Sequence, residues 1–460
     1  MFVIILYKLL PHIPQNRMLL VASYFFYAYW DWRFLSLIAL SAVINYFTVI
    51  SIVKAKSQRR RKNLLIISIC GNLSILGSFK YYNFFVSEFI KGFGFLDLGL
   101  HLPILDIVLP VGISFYTFQA MGCAIDVYRG TTQPNWHFLD FALFVAFFPL
   151  LLAGPIERSS RLMPQIVNPR SGSTESFSIG LYYILMGLFK KVVVADNMAP
   201  IVNMIFSADS SKLSGADCLI GVYAFAFQLY GDFSGYSSIA KGIAKWLGFD
   251  IMENFSMPYF STSPRDFWRR WHISLSSWFR DYVYIPFGGN RLGKFINFRN
   301  LMFTMTLCGL WHGANWTFIC WGVFHGLLLI GYQIFVDYRK ISDLLVNSFL
   351  SRAIKALVMF HLVCIGWLMF RAESIPQAWM MLNKMVTDFH VTEFTWFSLG
   401  MIGFYVVPLL MIELWIERSG DLLKLIKVHW VVRSSIYGYV VLMLVIFQPI
   451  TPQQFIYFRF

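Results

Sequence analysis

The chain has 460 residues; 57% are Ala, Val, Ile, Leu, Met, Phe, Trp, Tyr or Cys, and only 13% are charged, about half the charge of a soluble domain. So much apolar surface, with so little charge to coat separate globules, excludes a disordered chain, a secreted disulfide scaffold and an ordinary cytosolic enzyme. The 38 basic and 24 acidic residues give a net charge of +14. It reads as Lys and Arg holding loops on the cytoplasmic side of a lipid bilayer, with no nucleic acid involved, because the basic residues form short blocks between apolar spans.

The first 14 residues, interrupted by Lys8, Pro11 and Pro14, have no clear small-residue cleavage site and are expected to be retained. Stretches approaching the roughly 20 apolar residues that cross a bilayer follow at 18–32, 34–53, 64–79, 104–122, 138–153, 178–195, 217–231, 301–336, 353–370, 399–416 and 434–450. Several are short and lie in or re-enter the membrane, so about nine to twelve spans are expected. No repeat and no linker divides the chain. The expected organisation is one all-α polytopic membrane domain, 1–450, and a tail, 451–460. Residues 54–62 carry six basic residues and no acid, and 265–299 carry seven against Asp266 and Asp281, which places both on the cytoplasmic side. Lys424, Lys427 and Arg433 precede the last span, which then carries the tail outward. The six cysteines lie in apolar stretches without CxxC or His pairing and read as small buried hydrophobes.

Two segments depart from plain spans. In 263–283, Ser263 suits an N-cap, Pro264 the first helical position and Asp266 the positive helix end. Trp268, Trp271, His272, Leu275, Trp278, Phe279 and Tyr282 then form one aromatic stripe of a helix lying in the interface plane, ended by Pro286, Gly288 and Gly289. The second segment, 301–336, has no Asp, Glu, Lys or Arg. As a single helix it would be about 54 Å long, far more than a hydrocarbon core of about 30 Å. A bent, broken or re-entrant element is predicted, with the GxxxG pairs Gly309/Gly313 and Gly322/Gly326 allowing close helix packing.

This element carries His312 inward, between Trp311 and Trp316. An ionisable group in a membrane element is a functional candidate; the competing reading is a histidine satisfied by a neighbour in a packed bundle. Asn315, three residues on, is positioned to orient the ring or a substrate, and Trp311 and Asp232 join it as substrate-binding candidates. For Asp232 the alternatives are a polar brace and a cytoplasmic entrance. His272 is the second catalytic candidate, and His325 is assigned to packing. No GxSxG elbow, Walker A loop, HExxH or GxGxxG helix start is present. Histidine general-base chemistry remains, with no metal and no bound cofactor.

At WHGANW (311–316) and WGVFHG (321–326) the sequence resembles the membrane-bound O-acyltransferase (MBOAT) family. LPVGISFYTFQ (109–119), AGPIER (153–158), GDFSGYSSIAKG (231–242) and RDFWRRWHISLSSWFRDYVYIPFGGNR (265–291) sharpen the likeness to its bacterial branch, which acetylates alginate or peptidoglycan or D-alanylates teichoic acid. The resemblance implies a ring of transmembrane helices around a thin partition pierced by a tunnel, in the cytoplasmic (inner) membrane. His312 matches the family's essential histidine and His272 its supporting one. The tail FIYFRF (455–460) resembles the branch's FxYxxF acyl-transfer motif, making Tyr457 a phenolic acyl acceptor; the alternative is an aromatic-belt tyrosine. Acetyl transfer is then expected from a cytoplasmic thioester, acetyl-CoA, through an SGNH-hydrolase-like partner outside, to a surface polysaccharide. D-alanyl transfer from a carrier protein is the alternative within the class. A transporter or flippase is the alternative outside it, opposed by the lack of evident membrane-embedded acidic pairs.

Overall fold

The computed structural model describes residues 2–93, 103–105, 107–339, 348–449 and 453–456. Among them the regular elements are all helical. Six stretches are long and apolar enough to cross a membrane: His12–Lys54, Gln58–Lys80, Thr174–Ser207, Trp316–Val336, Phe349–Arg371 and Glu393–Ser419. This is a multi-pass membrane protein. The 43-residue first stretch contains two of the expected spans, His12–Asp31 and Leu35–Lys54, joined by a 3₁₀ turn. The expected 104–122 span is helical only from Ile113, and other expected spans are helical but shorter or more polar. The 138–153 stretch breaks at Phe147, where Pro149 opens a new short helix, since a proline cannot continue a preceding one. The last span forms the 17-residue Trp430–Ile446 helix.

The chain divides into two compact units, Met1–Phe177 with Ile243–Met252, and Ser178–Gly242 with Glu253–Phe460. In the first, the helices Leu35–Lys54 and Gln58–Lys80 are joined by a buried amide pair. Asn72 Nδ2 donates to Asn45 Oδ1 at 2.9 Å and Asn45 Nδ2 returns to Asn72 Oδ1 at 3.1 Å, with Ser68 Oγ adding 2.8 Å to Asn45 Oδ1. Such side chains are the polar glue of helices in an apolar solvent. The Ile113–Arg129 helix is buried along 113–124. Its start needs Gly112: φ is +76°, and a Cβ there would lie 2.1 Å from the Leu151 carbonyl oxygen. That explains the glycine of LPVGISFYTFQ.

In the second unit, the Thr174–Leu188 helix widens into a π-helical turn over Phe189–Ala195 and continues as Asp196–Ser207. The 32-residue Gly215–Trp246 helix lies backbone-close against it. A Cβ on Gly187 would come 2.6 Å from Gly235 O, and one on Gly231 would come 2.7 Å from Lys190 O. The glycines of GDFSGYSSIAKG are therefore a packing face. The charge-free 301–336 stretch is a helical hairpin, Lys294–His312 followed by the helix from Trp316. Its arms meet through Gly309, whose Cβ would lie 2.2 Å from Phe318 O, and Gly322, 2.3 Å from Met305 O.

Candidate active site

His312 is the last residue of its helix; Gly313 leaves the helical path, and the predicted break falls at 313–315. Asn315 fixes this turn. Its Oδ1 accepts from Thr317 N at 3.0 Å, and its Nδ2 donates to the Glu373 carbonyl at 3.1 Å. It does not continue the His312 helix, so the shared helical face assumed from spacing is absent, and the amide serves the turn. The His312 imidazole is 3% exposed. Its ring centre lies 4.9 Å from Trp311, 5.0 Å from Trp321 and 5.1 Å from Phe370.

The Ser263 cap, Pro264 and Asp266 are placed as the sequence predicts, but the single helix expected over 263–283 is two. Pro264–Arg270 ends at Trp271, and Ile273–Phe279 starts after His272, which sits in the left-handed region at φ 42°, ψ 54°. That conformation costs on the order of 1–3 kcal/mol outside glycine. It is held by Asn254, whose carbonyl accepts Ile273 N–H at 2.9 Å. Asn254 also fixes the ring. Its Oδ1 accepts the Ser274 backbone N–H at 3.3 Å and Ser274 Oγ at 2.8 Å, and lies 3.2 Å from His272 Nδ1. A backbone N–H can only donate, so Oδ1 is the oxygen and Nδ1 carries the proton. The neutral ring keeps its lone pair on Nε2. This segment lies outside the six candidate spans, and burial pushes the His272 imidazole down to about 3.

Trp311 stands beside both histidines, 5.9 Å from the His272 ring and 4.9 Å from that of His312. The structure thus brings His272, Trp311 and His312 together. His325, fully buried, packs among Trp321, Trp268 and Phe267. Neither of its ring nitrogens has a hydrogen-bond partner among the described residues.

Asp232 is placed elsewhere, where it binds the tail. Its Oδ1 pairs with Lys191 Nζ at 2.6 Å and its Oδ2 accepts Ile456 N–H at 2.6 Å. Lys191 also pairs with Asp196 at 2.8 Å and donates to the Gln453 carbonyl at 3.2 Å. Phe455 packs 6.2 Å from Phe233, whose ring stands edge-on to His272 at 4.6 Å. Tyr457 lies outside the described residues.

Sequence reasoning missed Asn254, Lys191 and a second buried pair, Lys190 with Glu413 at 3.0 Å, where Tyr230 also donates to Glu413 at 2.6 Å. The two lysines inside an apolar stretch were the available signal, because charges within a span mark function or a partner. Glu413 lies in the Glu393–Ser419 span, where its ion-pair partner is Lys190.

The two buried histidines thus flank one indole within a multi-pass helical protein. The chain belongs to the membrane-bound O-acyltransferase family, whose profile matches residues 24–371, and it is an O-acyltransferase. It is 43% identical over 388 residues to a probable alginate O-acetylase AlgI of Azotobacter vinelandii, covering 83% of this chain and 74% of that one. It is 36% identical over 411 residues to the peptidoglycan O-acetyltransferase of Helicobacter pylori, covering 84% and 76%. Identity to the teichoic acid D-alanyltransferase of Bacillus subtilis is 28% over 293 residues, covering 59% and 71%.

Proposed function

We propose that the protein moves acetyl groups from a cytoplasmic thioester, acetyl-CoA, to an acceptor outside the bacterial inner membrane, for O-acetylation of a surface polysaccharide of the alginate or peptidoglycan kind. The relatives at 43% and 36% identity favour acetyl over D-alanyl, which is the activity named for the relative at 28%. The single ring and tunnel implied by the family pattern belong to this reading, with His312 reached from both faces.

In the reaction, the Tyr457 phenol oxygen attacks the thioester carbonyl carbon while His312 takes the phenolic proton. The C–S bond then breaks, and the imidazolium returns the proton to the leaving thiolate, giving the acetyl tyrosyl ester and free CoA thiol. His272 presents an Nε2 lone pair and therefore orients a donor group, such as a hydroxyl, rather than an oxyanion. Trp311 holds both rings in place, and Asn315 keeps the turn that ends the His312 helix. The ester passes to an SGNH-hydrolase-like partner outside, a phenol being a better leaving group than a sugar alkoxide.

The observation that carries this reading is the docked tail. Asp232 holds the Ile456 N–H, and Phe455 packs on the same Phe233 that touches His272. Residues 453–456 are thereby held within one ring of His272, through Phe233. The test is purified protein with radiolabelled acetyl-CoA. Acid-stable, hydroxylamine-labile label is expected on the wild type and absent in Tyr457→Phe and His312→Ala. Normal labelling of His312→Ala removes the base from the scheme.

A further inference from the structure

A cleft of about 700 Å³ is lined by Phe349–Arg371 and Glu393–Ser419, both candidate spans, together with Phe227 and Tyr259. Its two ends differ in chemistry. At the rim, Arg352 stands in the first turn of one helix and Arg418 in the last turn of the other, and the Arg418 guanidinium lies 4.7 Å over the Phe349 ring. Among the described residues lining this end the carboxylate is Glu417, held at 2.8 Å by Arg270, which leaves Arg352 at 3.9 Å. Both Arg352 and Arg418 are exposed at this edge. At the floor, Phe360 packs 5.8 Å from Phe227 and 5.1 Å from Tyr259, with Leu410 beside them. Phe360 lies eight residues beyond Arg352 and Leu410 eight before Arg418, so the floor is about 12 Å along the helix axes from the rim.

A basic rim above an apolar shaft, both on membrane-spanning helices, matches a phosphate headgroup joined to an acyl chain. The rim carries an arginine excess, which complements an anion and not a zwitterion alone. The volume lies in the roughly 300–1,000 Å³ range of small-ligand sites. The floor is closed by rings, and the Tyr259 hydroxyl is tied to the Ala226 carbonyl at 2.6 Å, so the shaft suits a chain end rather than a passing substrate. We propose that this cleft binds one anionic phospholipid of the surrounding leaflet, with its phosphate between Arg352 and Arg418 and one acyl chain over Phe360 and Leu410.

The test uses the full chain reconstituted in vesicles of equal phosphatidylglycerol and phosphatidylethanolamine, extracted gently and weighed by native mass spectrometry. One retained phosphatidylglycerol per protein is expected. Arg352→Gln and Arg418→Gln, at the exposed edge, each lower the preference for it about two- to fivefold, the loss of one exposed ion pair. Ala356→Trp, on the cleft wall, removes the lipid. Equal retention of both lipids by the wild type, or an unchanged preference in the double Arg variant, overturns the proposal. So does displacement of the lipid by acetyl-CoA, which would give the cleft to the donor. The readout is lipid retention, so its failure leaves the acyl-transfer reading standing.

Discussion

Replacing Asp232 with asparagine tests whether the tail is held where the chemistry needs it. The carboxylate gives one oxygen to Lys191 Nζ and the other to the Ile456 N–H, each at 2.6 Å. An asparagine offers one acceptor and one N–H₂, so in either orientation one of those donors faces another donor. Lys191 retains Asp196 at 2.8 Å, yet the pairing with position 232 loses its charge. A charge-assisted hydrogen bond contributes about 1.5–3 kcal/mol, and each 1.4 kcal/mol is about tenfold in an equilibrium. The docked tail should therefore fall about ten- to a hundredfold in population relative to the released one. Two assays read this separately: protease cleavage within 451–460, and the rate at which radiolabel from saturating acetyl-CoA reaches the tyrosyl ester. Asp232→Asn should be cut at least about tenfold faster and labelled slower by the same factor, with the KM for donor unchanged. Tyr457→Phe should lose the label while keeping wild-type cleavage. If Asp232→Asn keeps both rates within about twofold, the latch is refuted. If it loses label with the tail still protected, Asp232 acts by another route.

Other perturbations address the scaffold. Gly322→Ala forces a methyl to 2.3 Å from the Met305 carbonyl oxygen, whereas Gly331→Ala meets nothing within 4 Å. Overpacking costs about 1–3 kcal/mol, so the first should lower the melting temperature in detergent by several degrees and depress activity, and the second should leave both unchanged. His272 binds no proton in the folded protein until about pH 3, while the unfolded chain binds one below about 6.5. Its stabilising contribution is thus complete above 6.5 and declines toward pH 3, by up to about 1.4 kcal/mol per pH unit; His272→Gln should flatten the melting curve between pH 6.5 and 4. Glu157 has the opposite sign: burial raises its carboxyl to about 7, so its stabilisation is complete below about 4.5 and is lost as pH rises to 7. One oxygen accepts the Met252 N–H, which an amide oxygen can replace. Glu157→Gln should therefore melt higher than the wild type at pH 8 and no higher at pH 5.

What the sequence discloses here follows from the range of each interaction. The Ser263 cap, the excess length of 301–336 and its GxxxG pairs are local facts, and the hairpin follows from them. His312 is legible as an ionisable group in a charge-free membrane element and His272 as a polar residue on an aromatic stripe; the family resemblance adds the roles. The break at His272 is not legible, since a helical stripe runs straight through it and no glycine marks the left-handed residue. Nor is Asn254 legible, an irregular-loop residue with no periodicity that reaches the site only through its contacts with residues 272–274. The same holds for the latch. Lys190 and Lys191 are visible as charges in an apolar stretch, but their partners Glu413 and Asp232 are not adjacent in sequence. Which lysine takes which acid depends on the π-helical turn over Phe189–Ala195, a widening with no compositional mark.

The two histidines show how one residue type takes two tasks from its surroundings. His272 has Nδ1–H committed to Asn254 and a buried ring, so burial resists a positive ring and the neutral form keeps its acceptor nitrogen. His312 closes a 19-residue helix, beside the terminal carbonyls that carry the helix's partial negative charge. In the proposed reaction His312 takes the proton, while His272 only points the donor. Exchanging the two environments, not the two residues, is what would exchange the roles: adding an acid beside His272 in Asn254→Asp favours a protonated His272 and should slow labelling of the tail while the docked tail stays protected from protease. Unchanged labelling in that variant would show that the neutral state of His272 has no part in the transfer.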